Sequence, residues 1–151
     1  AVAFRPDRAV ADRQPVDRPR LDQRRNLAAL LHLSQDAPLD PQAGGMYRIV
    51  LTYEDETVTG KTSSHTDVSK GRFVELETNQ KIVMAGTFET EDPTFSGEMV
   101  QTWYLEEIDD GTNVTVVCEN VPSGIRKEDH LNGLRATLDQ LLSFLQDNRD
   151  G

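Results

Sequence analysis

The sequence predicts an α+β domain: one curved antiparallel β-sheet packed around a long C-terminal α-helix. Three observations carry this. In Arg126–Asp147, Leu131, Leu134, Leu138, Leu141, Leu142 and Leu145 recur at three- and four-residue spacing. At about 100° per residue they form a single apolar stripe, and a helix of that length runs about 33 Å, enough to cross a small domain. Upstream of it, β-branched and aromatic runs alternate with short turn signals, the pattern of a meander. The chain of 151 residues has the length of one domain able to bury a core.

Residues 1–38 differ from the rest. They hold seven Arg and no Lys, five Asp and no Glu, for a net charge of +2, whereas 39–151 carries −12. Pro6, Pro15 and Pro19 fall among scattered charges without a sustained period, so Ala1–Arg20 reads as irregular or disordered. Leu21–Leu33 has the spacing of a short helix of marginal stability on its own. An ordinary disordered extension and a GC-rich segment read out of frame would both give this composition. The domain proper is therefore expected over 39–151.

From there the elements follow in order. Gly44-Gly45 is a turn signal. Met46–Glu54 is the first strand, with Tyr47, Ile49, Leu51 and Tyr53 on one face. Val58–Ser69 reads as a polar strand continuing into Gly71–Glu77, with a bulge expected at Lys70-Gly71 that would curve the sheet. Thr78-Asn79-Gln80 turns into a strand over Lys81–Thr90. Gly97–Glu107 follows, with Met99, Gln101, Trp103 and Leu105 sharing a face. Asp109-Asp110-Gly111 signals a hairpin, with Gly expected at a positive φ, and Thr112–Glu119 returns as the last strand. On the helix, Asn132, Ala136, Asp139, Gln140 and Ser143 lie opposite the leucine stripe, in water. His130, Gly133, Thr137 and Phe144 fall on its flank.

Charge and composition narrow the function. The net charge of −10 and pI of about 4.7 argue against nucleic acid and anionic membranes, both of which select basic patches. No apolar run approaches the roughly 18 residues of a membrane span, and the start has no signal-peptide pattern. With Cys118 as the one cysteine, no internal disulfide can form, and a cytoplasmic protein is expected.

Four stretches in order carry a resemblance: Gly44-Gly45-Met46-Tyr47-Arg48, KTSSHTDVSKGRFVELETNQKIV (61–83), VTVVCENVP (114–122) and EDHLNGLRATLDQLLSFL (128–145). Together they resemble the heat-shock protein 90 ATPase activator-like branch of the SRPBCC superfamily, the START-like, Bet v 1-like domains. The resemblance implies a helix-grip fold, a curved sheet gripping the C-terminal helix with an apolar cavity between them. It also implies an opening strand and two short helices, which residues 1–38 do not match. Without a strand there, Thr112–Glu119 would keep an unpaired edge, and such edges recruit partners. A homodimer through that edge follows, unless Ala1–Val10 folds back as a substitute strand. Many relatives carry Trp after the helix glycine, where this chain has Gly133-Leu134.

Side chains with chemistry are few. His65-Thr66-Asp67 would set an imidazole beside a carboxylate on one strand face, an arrangement suited to acid–base work, although a solvated strand pair has the same sequence. His130 could reach a cavity or cap the first helical turn. His65 and His130 have no tight metal-ligand spacing, and Cys118 reads as a buried inert thiol. No phosphate loop, dinucleotide fingerprint or nucleophile elbow occurs, so neither cofactor, metal nor catalytic residues are expected. A sheet wrapped round a straight helix leaves a gap at its concave centre. The cavity is expected between Gly133, Leu134, Thr137 and Leu138 on one side and Tyr47, Tyr53, Phe88 and Trp103 on the other, with His65 and His130 as polar contacts. The function expected is binding of an apolar small molecule. The resemblance also implies two other classes, a polyketide cyclase or hydrolase using the same cavity and a chaperone-ATPase activator-like protein-binding module.

Overall fold

The computed structural model describes the backbone of residues 3–5, 8–10, 14–16 and 147, and the backbone and side chains of residues 39–52, 59–109 and 111–146. Three short strands come first, β1 (Ala3–Arg5), β2 (Arg8–Val10) and β3 (Gln14–Val16). The meander follows with β4 (Met46–Thr52), β5 (Thr66–Glu77), β6 (Lys81–Phe88), β7 (Met99–Ile108) and β8 (Gly111–Glu119), and α1 (Lys127–Asp147) closes the chain. All strand pairs are antiparallel, in the order β1-β2-β8-β7-β6-β5-β4, with β3 also on β8.

Alternation along the strands decides which side chains face the helix. Three rows cross the concave face: Tyr47, Gly71, Gly86 and Met99; then Phe73, Met84, Gln101 and Cys118; then Ile82, Trp103 and Val116. Leu134, Leu138, Leu141 and Leu145 of α1 are buried against this face in one cluster with Tyr47, Phe73, Met84, Trp103 and Val116. The opposite face is mixed, with Val83, Val100 and Val117 beside Arg72, Thr102 and Glu119. Arg48 pairs there with Glu89 at 3.0 Å, and Lys81 with Glu75 and Glu77 at 3.0 and 2.8 Å.

The structure differs from the sequence expectations at several local points. β5 begins at Thr66, not Val58. Thr62 Oγ1 donates to the Thr66 carbonyl at 2.8 Å and accepts from the Val68 N–H at 2.9 Å. These local bonds hold residues 61–65 in bends and take the backbone groups that a strand would need. The bulge lies between Phe73 and Glu75 rather than at Lys70-Gly71, and Gly71 stays in register between Tyr47 and Gly86. β7 starts at Met99 because Gly97 sits at φ +102°, outside the extended region. Gly111 closes the last hairpin as the partner of Ile108, inside β8. The turn after β5 uses a left-handed residue, Asn79 at φ 60°, as does the Gly44-Gly45 turn, with Gly44 at φ 83°.

Strands also occur within the segment that reads as irregular. β2 pairs with Val117–Glu119 and β3 with Thr112–Val114. The edge of β8 is thus occupied by the chain itself, and the condition for a dimer through that edge is not met. Leu21–Leu33 lies outside the described residues.

Candidate functional site

A cavity of about 210 Å³ lies between the concave face and α1. β4 contributes Tyr47, Ile49 and Leu51 to its wall, β7 contributes Met99, Gln101 and Trp103, and Met84, Gly86 and Phe88 come from β6. Ser69 on β5 and Thr87 on β6 complete the sheet side, and Leu134, Thr137 and Gln140 form the helix side.

Two glycines make room for one of the large wall residues. Tyr47 lies across the sheet, its ring 5.5 Å from that of Phe73. Its hydroxyl sits over the paired glycines of the neighbouring strands. A Cβ on Gly86 would fall 2.3 Å from that oxygen, and one on Gly71 2.6 Å from it, both far inside contact distance. Burial, and then the Glu98 carboxylate, push the Tyr47 phenol up to about 12 against the lowering effect of Arg72. It is therefore a neutral hydrogen-bond donor throughout the physiological range.

Trp103 Nε1 donates to Gln101 Oε1 at 2.9 Å, and Gln101 Nε2 donates to Cys118 Sγ at 3.5 Å. This chain engages the buried indole N–H as a satisfied core requires. Burial raises the Cys118 thiol to about 11, more than the Gln101 hydrogen bond lowers it. Thiolate is the nucleophilic form, so the geometry agrees with an inert core cysteine.

Of the residues expected at the site, Tyr47, Phe88, Trp103, Leu134 and Thr137 border the cavity. Leu138 is buried in the core beside it. Gly133 does not face it: the residue is exposed, and a Cβ there meets nothing within 4 Å. Tyr53 lies outside the described residues. His65 is exposed on the bend before β5, while Asp67 is buried and bonded to the backbone N–H and Nζ of Lys61. The imidazole–carboxylate pair on one strand face is therefore not formed, because the strand begins after His65. The Lys61 ammonium also lies 5.5 Å from the centre of the Phe88 ring, which ties the 61–65 bend to the cavity rim. Among the described residues, no three His, Cys, Asp or Glu side chains are placed to hold a metal.

His130 is half-buried on the first turn of α1 and does not line the cavity. Burial, and then the charge of Lys61, hold its pKa below the ordinary 6.5. As pH falls through about 6.5 the unfolded chain takes up this proton first, so stability declines until the folded pKa is passed. Asp129, Glu89 and Glu98, whose pKa values are depressed by their arginine partners, lose their contributions only at more acidic pH. Chemical denaturation from pH 7 to 5 should thus show a falling stability that His130→Gln flattens. An unchanged slope in the variant would assign the decline to other groups.

Several wall residues were missed by sequence reasoning. Ile49, Leu51, Met99 and Gln101 share strand faces with Tyr47 and Trp103, so alternation alone points to them. Ser69 and Gly86 give no apolar signal, and the long side chain of Gln140 reaches the wall from the edge of the helix face assigned to water.

A curved antiparallel sheet with a long C-terminal helix across its concave face, and a cavity between them, is a helix-grip, Bet v 1-like domain. The model of the family described as "Activator of Hsp90 ATPase homolog 1-like protein" matches residues 26–146, and the chain belongs to that family, within the SRPBCC superfamily. The match begins upstream of Leu39. Among solved structures, a Chromobacterium violaceum protein is similar at 19% identity and a TM-score of 0.73, covering 93% of this chain and 98% of its own. A Rhodobacter sphaeroides protein is similar at 14% identity and TM-score 0.68, covering 97% and 99%. A Staphylococcus epidermidis protein solved in solution gives 16%, 0.67, 97% and 94%. At such identities the likeness is one of fold. No curated protein matches the chain. Among the described residues, no helix is long and apolar enough to cross a membrane.

Proposed function

We propose that this protein is a cytoplasmic binding domain for a small apolar molecule held between the sheet and α1. The observation that carries the reading is the cavity itself, walled by Met84, Met99, Trp103, Phe88 and Leu134 with only a few polar groups among them. Apolar walls with a small number of placed polar groups are the make-up of ligand sites. Size argues for binding a compact molecule. An engineered cavity of about 150 Å³ admits benzene or xenon, and drug-sized ligands occupy roughly 300–1,000 Å³. A volume of about 210 Å³ suits one ring with a substituent better than a lipid chain or a polyketide, and so favours this reading over a polyketide-processing one.

Xenon tests it without knowledge of the natural ligand. Crystals pressurised with xenon should show a bound atom among Met84, Trp103 and Leu134. Xenon found only elsewhere, or not at all, would remove the basis for the reading.

A further inference from the structure

We propose that the cavity selects an uncharged molecule of about one ring carrying a single hydrogen-bond-accepting oxygen, which the Tyr47 hydroxyl holds. This deepens the binding reading and rests on it.

The first observation is charge. None of the fourteen described residues that line the cavity is ionic. A carboxylate or ammonium entering there would give up its hydration without a counter-charge. The Arg72 guanidinium, whose charge acts on the Tyr47 phenol, already pairs with Glu98, and Lys61, over the ring of Phe88, pairs with the buried Asp67.

The second is an unused donor. Among the described residues, every fully enclosed side-chain polar atom has a hydrogen-bond partner. The Tyr47 hydroxyl has none, although the residue is only 7% exposed. Its oxygen is therefore accessible, and Tyr47 is one of the residues of the cavity wall. Two other polar groups of the wall are engaged: Trp103 Nε1 with Gln101 at 2.9 Å, and Thr137 Oγ1 with the Gly133 carbonyl at 3.0 Å. A donor held open in an apolar wall discriminates strongly, because a ligand lacking the acceptor leaves it buried and unpaired. Ser69 places a second hydroxyl on the same wall, one row along from the Tyr47–Gly71 pair.

The third is the glycine pair. A Cβ at Gly86 would meet the Tyr47 oxygen first, at 2.3 Å, and one at Gly71 would meet it at 2.6 Å, after the Ala85 carbonyl at 2.1 Å. The glycines thus give the Tyr47 hydroxyl its seat on the sheet.

Calorimetric titration with three probes of one shape tests this: acetophenone, α-methylstyrene, in which a methylene replaces the carbonyl oxygen, and benzoate. Acetophenone should bind wild type at least tenfold more tightly than benzoate. Tyr47→Phe should weaken acetophenone about three- to tenfold, the worth of one neutral hydrogen bond, and leave α-methylstyrene unweakened or bound more tightly, since no donor is then left unpaired. If the variant weakens both neutral probes alike, or neither, the hydroxyl does not select the ligand and this inference falls, while the binding reading stands. If no probe binds wild type, the two fall together. Should Tyr47→Phe fail to fold, wild type still decides, because equal affinity for all three probes would overturn the proposal.

Discussion

Leu138→Ala is expected to cost about 2–5 kcal/mol of stability, while Asp139→Ala costs almost none. Leu138 is 6% exposed and sits in the cluster that joins α1 to the sheet. Truncation removes the burial of three carbons and leaves a void that close-packed neighbours refill only in part. The loss is a large part of the roughly 5–15 kcal/mol that typical domains have. For a chain of this size each kcal/mol moves the melting temperature by about 2–4 °C. Asp139, one residue on, is exposed and faces water, where substitutions cost little. Thermal melts of the two variants check the pair. Equal losses would mean that α1 presents a different face to the sheet.

That face was legible in the sequence because one physical signal dominates it. Leu134, Leu138, Leu141 and Leu145 repeat with the helical period, and burial of one stripe is what stabilises such a helix. The same holds for Tyr47, Ile49 and Leu51 on β4 and for Met99, Gln101 and Trp103 on β7, where alternation separates the faces. The meander order and its short turns were readable for the same reason.

Local departures have causes that apolar patterning does not carry. The bends at residues 61–65 arise from Thr62 and Ser63 side chains bonding to nearby backbone, and in the sequence those residues look like any polar strand. The bulge after Phe73 depends on pairing with β6, a nonlocal fact. Gly133 drew attention as a small residue on the helix flank, but smallness alone does not tell a gap in the core from a position open to solvent. Gly71 and Gly86 are the informative small residues, and their role appears only when register brings both beneath the Tyr47 hydroxyl. His65 and His130 were singled out for their chemistry. Strand start and helix phase keep both off the cavity wall.

The central claim is that the space between α1 and the sheet is a binding site, and filling it from the helix tests that claim most directly. Thr137 is half-buried and lines the cavity, so Thr137→Phe carries a ring into the space while Leu134 and Leu138 keep their packing. Ala136 is exposed on the water side, so Ala136→Phe adds the same ring where it fills nothing. Trp103, the one tryptophan in the chain, forms part of the wall and reports from within the site. The measurement is its fluorescence during titration with α-methylstyrene. Saturable changes are expected in wild type and Ala136→Phe, with none in Thr137→Phe, whose melting temperature stays close to that of wild type. An equal response in all three proteins, or none in wild type, would contradict the account.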